Sequence, residues 1–171
     1  MKRRYQRELY IEKVMAINTA IPNCCIGVDV IVGFPGETNE DFLETYQFLN
    51  DLEISYLHVF TYSERDNTLA AEMPNPVPLA VRNERSKMLR ILSEKKRRNF
   101  YNKFVGTQAK VLFEADAEKG MMFGFTENYV KVTAKYDPLW VNEIKLVQLC
   151  SINSDGLVEI KEVEHEIMIH A

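Results

Sequence analysis

The chain of 171 residues is 46% hydrophobic and 27% charged, so it can bury a core but is short enough to form only one or two domains. Its net charge of −4 argues against a surface that binds nucleic acid throughout. No apolar run approaches the roughly 20 residues of a membrane helix and no signal peptide is recognised, which predicts a cytoplasmic protein that does not bind membranes.

The first half of the chain alternates between helical and strand periodicities. Residues 5–21 place apolar side chains four, three and four positions apart, which predicts an amphipathic helix. Residues 26–32 read as a buried strand, residues 38–52 as a second helix with Thr38 as its N-cap, and residues 56–62 as a second strand. This order predicts a parallel βαβ unit, and a sheet of two parallel strands needs further elements to cover it.

A glycine-rich turn joins the first strand to the second helix, within the segment VDVIVGFPGET at residues 28–38. Alternation along the strand places its valines toward the covering helices and Asp29, Ile31 and Gly33 on the opposite side. Gly33 and Gly36 allow a sharp bend at the carboxyl end of the strand, where α/β folds place their ligands. The sequence therefore predicts a ligand site at this turn.

The second half of the chain begins with a basic helix and then changes to strand periodicity. A connector with three prolines at residues 72–78 precedes residues 81–104, where nine basic and two acidic residues surround an apolar stripe. After Gly106 we predict five short strands, over residues 110–114, 121–125, 129–135, 143–149 and 157–163. Short strands at this spacing predict a small, closed or nearly closed β-barrel of a kind that binds nucleic acid.

Four segments carry a resemblance to a known family. They are MKRRY at residues 1–5, DVIVGFPGET at residues 29–38, HVFTYSER at residues 58–65 and GFTENYVKV at residues 124–132. Together they resemble the carboxyl-terminal half of the radical SAM tRNA methylthiotransferases, closest to the type that modifies N6-threonylcarbamoyladenosine next to the anticodon. The combination of the second and third segments is specific, whereas GFPGE alone occurs in many radical SAM proteins.

The resemblance implies a domain order for the whole chain. Residues 1–73 would be the carboxyl-terminal part of an incomplete TIM-like radical SAM barrel, an α/β remnant with its helices. Residues 74–105 would form the proline-containing connector and the basic helix. Residues 106–171 would form an all-β, OB-like barrel of five strands, the TRAM domain that contacts tRNA in the family. We expect the open flank of the truncated first barrel to expose apolar surface or to cause self-association.

The resemblance also implies an enzymatic function for the full-length protein. Such an enzyme uses S-adenosylmethionine and [4Fe-4S] clusters to add a methylthio group to C2 of N6-threonylcarbamoyladenosine in tRNA. These residues lack the Cys-x-x-x-Cys-x-x-Cys loop of the family, and Cys24, Cys25 and Cys150 have no metal-ligand spacing. We therefore expect part of a longer protein, inactive and free of cofactor and metal by itself. Alternatives are the enzymes acting on isopentenyladenosine in tRNA or on a ribosomal protein, and a non-catalytic RNA-binding module.

The resemblance places a site for S-adenosylmethionine at the glycine-rich turn. In the family the corresponding strand packs against the adenine ring, and Ile31, Gly33 and Phe34 stand at the matching positions. The alternative is that Ile31 belongs to the core and Gly33 only turns the chain. A carboxylate at Asp29 is costly unless a ligand or an arginine pairs with it. The candidate residues for this cofactor are Asp29, Ile31, Gly33, Phe34, Phe60 and Arg65.

The second strand contributes the last two of these candidates. Phe60 shares with His58 and Tyr62 a face that we expect to point inward. Arg65 lies just past the strand, and its planar guanidinium suits a carboxylate or a phosphate. The family has Arg-x-Gly-Thr here, whereas this chain has Asn67 in place of the glycine. Asparagine tolerates the left-handed conformation, so we expect the turn to be kept.

The candidate partner of the second half is tRNA, at its anticodon region. Lysine and arginine contact phosphates, and bases stack on aromatic rings, so a mixture of the two is typical of an RNA-binding surface. For the basic helix, the alternative is that the charges only solvate one face. The candidate RNA-binding residues are Arg90, Lys95, Lys96, Arg97, Arg98, Phe125, Tyr129 and Lys131.

Overall fold

The chain divides into two compact units, which meet in sequence between Arg97 and Arg98. A computed structural model describes residues 6–118 and 120–163. The MKRRY segment at residues 1–5 and the end of the chain at residues 164–171 lie outside the described residues. Within the described part, no helix combines the length and the apolar composition needed to cross a membrane.

The first unit contains the predicted βαβ arrangement. Helix α1 covers Arg7–Ala20, strand β1 covers Gly27–Val32, helix α2 covers Asn39–Asp51, strand β2 covers Tyr56–Thr61, and helix α3 begins in this unit and covers Leu79–Asn102. The two strands are parallel and pair over their full length. This confirms the predicted elements, with ends that differ by about two residues.

The core of the first unit lies on one face of the two-stranded sheet. Val32 is fully buried, and Val28 is buried beside side chains from α1, α2 and α3. On the opposite face, Ile31 is 39% exposed and Phe60 is 52% exposed. The predicted division of β1 into a helix-facing side and an open side is therefore confirmed, and the expected exposed apolar surface is present. Self-association through this surface stays a prediction.

Helix α2 begins with the capping box that its sequence predicts. The Thr38 hydroxyl accepts from the Asp41 amide at 3.1 Å, and the Asp41 carboxylate accepts from the Thr38 amide at 2.9 Å. These reciprocal bonds satisfy two amides that the first turn of a helix leaves unpaired. Hydrogen bonds from Thr38 also hold the pKa of the Asp41 carboxyl below its usual value. The cap fixes where the chain leaves the glycine-rich turn.

A buried serine of α3 closes part of the free edge of β2. The Ser93 hydroxyl accepts from the Leu57 amide at 2.9 Å and donates to the Leu57 carbonyl at 2.9 Å. One side chain thus satisfies both backbone groups that this residue presents away from β1. These two hydrogen bonds hold α3 against β2.

Replacing Ser93 with alanine is expected to lower the free energy of unfolding by about 1–3 kcal/mol, because both Leu57 backbone groups would lose their partner in a buried position. Urea denaturation measures the loss. Thr19→Ala is the control, since that hydroxyl bonds the Met15 carbonyl at 2.9 Å on an exposed helix face and its loss should change stability by less than about 0.5 kcal/mol. Equal effects of the two substitutions would contradict this prediction.

The second unit is a closed five-stranded β-barrel. Its strands are β3 at Gln108–Glu118, β4 at Met121–Thr126, β5 at Lys131–Lys135, β6 at Ile144–Ile152 and β7 at Val158–Glu162. Around the barrel the order is β3, β4, β5, β7, β6, and each pair is antiparallel except β5 with β7, which pairs over only two positions. The predicted number of strands and the predicted closure are confirmed.

Buried apolar side chains fill the interior of the barrel. Fully buried residues from several strands line its interior, including Val111, Phe113, Met122, Val132, Val147, Leu149 and Val158. Gly124 also faces inward, and a Cβ there would lie 2.6 Å from Val111 Cγ1 and 2.7 Å from the Leu112 carbonyl oxygen. This close approach leaves no room for a side chain at residue 124. Interior packing therefore leaves the outward side chains of β4 and β5 free to form a surface.

Candidate functional site

The uncovered face of the β1–β2 sheet brings together several predicted cofactor residues. We call the surface formed by Asp29, Ile31, His58 and Phe60 the sheet face. Parallel pairing sets Ile31 directly beside Phe60 and Asp29 directly beside His58. The large apolar side chains of Ile31 and Phe60 therefore lie side by side and exposed. The Asp29 carboxylate and the His58 imidazole form the neighbouring pair on the same face, two residues earlier in each strand. This arrangement suits a flat ring that carries polar groups at its edge.

The glycine-rich turn at the end of β1 has a fixed backbone. Gly33 has a φ of +79°, and its amide donates to the Glu37 carboxylate at 2.6 Å. The Gly36 amide donates to the Asn75 carbonyl at 2.9 Å. A Cβ on Gly33 would lie 2.4 Å from Arg82 Cγ, so the missing side chain admits α3 against the turn. Contacts with α3 therefore hold the turn on one side. The other side of the turn borders the sheet face.

Arg82 of α3 ties the turn to the end of β2. Its side chain is buried and donates to the Val77 carbonyl at 2.6 Å, to the Tyr62 carbonyl at 3.1 Å and to the Glu64 carboxylate. The hydrogen bond from Arg82 holds the pKa of the Glu64 carboxyl below its usual value. Arg82 belongs to the basic helix, but its buried side chain connects the turn to the end of β2.

Arg85 forms a second buried link one helical turn later. Its guanidinium donates to the Glu37 carboxylate at 2.8 Å and to the Glu37 carbonyl at 3.2 Å. The side chains of Arg85 and Glu37 are only 7% and 15% exposed. Because Glu37 also accepts from the Gly33 amide, one carboxylate connects α3 to the backbone of the turn. The conformation of the turn therefore depends on this ion pair.

Tyr62 and Phe34 form the boundary between the turn and the sheet face. Their rings meet edge to face with centroids 5.4 Å apart. The Tyr62 hydroxyl is buried and has no hydrogen-bond partner among the described residues. An unpaired buried hydroxyl is unfavourable unless a ligand or water bonds it. This hydroxyl and the open apolar pair Ile31 and Phe60 are therefore the candidate ligand contacts of this part of the chain.

The loop after β2 keeps the turn that the sequence predicts. Asn67 has a φ of +61°, the left-handed conformation expected of a residue that replaces glycine. The Thr68 hydroxyl donates to the Arg65 carbonyl at 2.8 Å. Arg65 itself is exposed and forms no ion pair with the described residues. Its guanidinium is therefore available to an anionic group.

The barrel carries a second candidate surface on the outward side of β4 and β5. We call the surface formed by Phe123, Phe125, Tyr129 and Lys131 the aromatic platform. The Lys131 amine lies 5.1 Å from the Phe123 ring centroid and 5.5 Å from that of Phe125. Tyr129 packs on Phe125 with centroids 6.2 Å apart and remains 68% exposed. The arrangement offers ring faces and a cation together, as contacts to unpaired bases require.

The predicted cations of α3 fall into two groups. Arg90, Lys95, Arg97 and Arg98 are exposed. Lys96 instead donates to the carbonyls of Asn50 at 3.0 Å and Leu52 at 2.7 Å, at the carboxyl end of α2. Burial lowers the pKa of the Lys96 amine, which is consistent with a position against protein rather than in water. Only the exposed group is accessible to other molecules.

Comparison with known proteins gives relatives along almost the whole chain. The threonylcarbamoyladenosine tRNA methylthiotransferase MtaB of Bacillus subtilis is 34% identical over 99% of this chain and 39% of its own length. The enzyme of the same name from Aquifex aeolicus is 42% identical over 77% of this chain and 31% of its own length. The tRNA-2-methylthio-N(6)-dimethylallyladenosine synthase of Acinetobacter baylyi is 32% identical over 98% of this chain and 35% of its own length.

The chain is homologous to part of the tRNA methylthiotransferases. No protein-family model matches it. The homology confirms the resemblance carried by the sequence motifs, and these relatives are enzymes. The chain spans less than two fifths of the length of these methylthiotransferases.

Several residues that build the site in this methylthiotransferase homologue escaped the sequence analysis. Arg82 and Arg85 belong to the basic run of residues 81–104, yet both are buried. A signal was present, because they precede Leu89 and Leu92 at helical spacing and so continue the buried stripe of α3. For Tyr62, strand alternation predicts the face of its side chain, but no sequence pattern indicates that its hydroxyl lacks a partner among the described residues.

Proposed function

We propose that this chain is part of a radical SAM enzyme that adds a methylthio group to C2 of N6-threonylcarbamoyladenosine in tRNA. The observation that carries the proposal is the homology to the Bacillus subtilis enzyme named for that modification, which extends over 99% of the chain. The sheet face and the aromatic platform support it, since such an enzyme needs a place for its cofactor and a place for tRNA.

The first unit is proposed to form one side of the S-adenosylmethionine site. S-adenosylmethionine supplies radical chemistry when it is bound at a [4Fe-4S] cluster, whose ligands would come from residues outside this chain. Ile31 and Phe60 would pack against the adenine ring, while backbone groups of Gly33 and Phe34 would bond its edge. The Tyr62 hydroxyl would gain the partner it lacks. Of the remaining candidates, Asp29 and Arg65 are the charged groups available to the polar parts of the cofactor.

The second unit is proposed to act as a TRAM-type domain that contacts the anticodon region of tRNA. On the aromatic platform, Tyr129 and Phe125 would stack with unpaired bases, and Lys131 would contact a phosphate. The exposed cations of α3 would add contacts to the RNA backbone. Both kinds of contact are needed, because stacking holds bases while phosphate contacts give most of the affinity.

The aromatic platform can be tested by RNA binding. The double substitution Phe125→Ala and Tyr129→Ala removes two stacking rings, and each base stacked on a ring contributes about 1–3 kcal/mol, so affinity for tRNA should fall at least about tenfold. Fluorescence anisotropy with labelled tRNA at low salt measures the change. Tyr136→Ala is the control, because that exposed tyrosine lies outside the platform. Unchanged affinity in the double variant, or no binding by the parent chain, would refute the proposed RNA contact.

A second candidate is the modification of dimethylallyladenosine, which the Acinetobacter baylyi relative favours at 32% identity over 98% of this chain. The two candidates differ in the group on N6 of the adenosine. Incubating the complete enzyme that contains this chain with each type of modified tRNA, followed by mass spectrometry of the nucleosides, distinguishes them. We expect the methylthio group on threonylcarbamoyladenosine; its appearance only on dimethylallyladenosine would overturn this choice.

A further inference from the structure

The free edge of β2 is only partly closed. Alternate residues of a strand direct their backbone groups to opposite edges, so Val59 and Thr61 face the same way as Leu57. Ser93 satisfies Leu57, but no described residue of α3 does the same for Val59 or Thr61. The backbone groups of Val59 and Thr61 therefore have no hydrogen-bond partner on α3 among the described residues.

A cleft of about 490 Å³ lies beside this part of the edge, between β2 and α3. Its lining includes Thr61, Asn83, Lys87, Arg90, Ile91 and Glu94. Lys87 and Arg90 are exposed and form no ion pair with the described residues. The cleft therefore combines backbone donors and acceptors, two free cations, an amide side chain and an exposed isoleucine. It does not include any residue of the sheet face or the aromatic platform.

The length of the free edge and the charge of the lining indicate the kind of ligand. A polypeptide that extends a sheet needs a run of free backbone groups, and strands are usually five or six residues long. Here Ser93 already bonds both backbone groups of Leu57, so on this edge only Val59 and Thr61 have backbone groups left to pair. The planar guanidinium of Arg90 and the ammonium of Lys87 instead match phosphate oxygens. Backbone groups and Ile91 match the edge and the face of a base.

We propose that this cleft binds a segment of single-stranded RNA, with its phosphates at Lys87 and Arg90 and a base edge at the backbone of Thr61. The inference rests on the proposed function, in which the exposed cations of α3 contact the RNA backbone, and adds a base contact at the edge of β2. Glu94, the acidic residue of the cleft, opposes the phosphates and limits the affinity.

The test compares charge variants of equal net charge. K87Q/R90Q should weaken binding of an unstructured RNA oligonucleotide about tenfold at low salt and reduce the slope of log affinity against log salt by about 1.4, since two phosphate contacts are lost. K13Q/K161Q is the matched control, because both lysines are exposed and lie outside the cleft. E94Q should strengthen binding about twofold. All five substituted positions are exposed, and circular dichroism verifies folding.

The outcomes separate this inference from the proposed function. If the parent chain binds no RNA, the proposed RNA contact itself fails. If the platform variants weaken binding while K87Q/R90Q behaves like K13Q/K161Q, only the cleft proposal is overturned. A photoreactive amino acid in place of Asn83 gives an independent readout: a crosslink to RNA supports the proposal, and a crosslink only to a second protein chain overturns it.

Discussion

Replacing Gly33 with alanine is expected to lower the free energy of unfolding by about 3 kcal/mol, whereas Gly36→Ala should cost only about 1 kcal/mol. The two glycines have nearly the same φ, +79° and +83°, in a range that is unfavourable for alanine. They differ in their surroundings, since a Cβ on Gly33 would lie 2.4 Å from Arg82 Cγ and a Cβ on Gly36 would meet nothing within 4 Å. The stability lost in Gly36→Ala therefore measures the backbone strain alone. The difference between the two losses measures the clash with Arg82.

The clash at Gly33 is costly because Arg82 cannot easily move away. Three acceptors hold its guanidinium, at Val77, Tyr62 and Glu64. A shift of the side chain would break buried hydrogen bonds, and a shift of α3 would disturb the core around Leu89. Urea denaturation of both variants measures the two losses. If the two losses agree within about 0.5 kcal/mol, the contact with Arg82 is not what excludes a side chain at residue 33.

Replacing Arg85 with methionine is expected to lower the free energy of unfolding by about 3–5 kcal/mol. The substitution leaves the Glu37 carboxylate 15% exposed and without its cation, and removing one partner of a buried ion pair has a cost of this size. The Glu37 carboxylate would still accept from the Gly33 amide, but that bond would then depend on a poorly solvated charge without a counterion. Faster hydrogen exchange at the Gly33 amide should accompany the loss.

A double-mutant cycle separates the ion pair from its surroundings. Glu37→Gln combined with Arg85→Met should be less destabilising than the sum of the single changes by about 1–3 kcal/mol, because the residues are in direct contact. Arg7→Gln is the control, since its pair with Glu44 is exposed and should contribute less than about 1 kcal/mol. An Arg85→Met variant as stable as Arg7→Gln would show that the buried link does not support the turn.

The order of elements was predictable because each element depends on local pattern. Period-two alternation identified all five barrel strands, and the Thr38 and Asp41 spacing identified the start of α2. The largest error in an element is in β3, which was predicted over residues 110–114 and covers Gln108–Glu118. Its pairing with β4 shifts register between Phe113 and Ala117, and an irregularity of this kind interrupts the alternation that reveals a strand.

The site was predictable only where strand parity determines it. Parity placed Ile31 and Phe60 on one face, and pairing sets them side by side. Parity does not reveal that Arg82 and Lys96 make buried or partly buried contacts, because a charge in a basic run is normally solvated. Their positions depend on contacts with residues 18 to 46 positions away in the chain. Such contacts exist only after α3 has packed against the turn and against α2.

The barrel has one weak seam, where β5 meets β7. Val132 with Val158 and Thr133 with Glu159 are the two pairs that join these strands, whereas β6 and β7 pair over five positions. Local fluctuations that open the domain should therefore start between β5 and β7, because fewest hydrogen bonds must break there. Since β5 also carries Lys131, opening of this seam would change the position of one side chain of the aromatic platform.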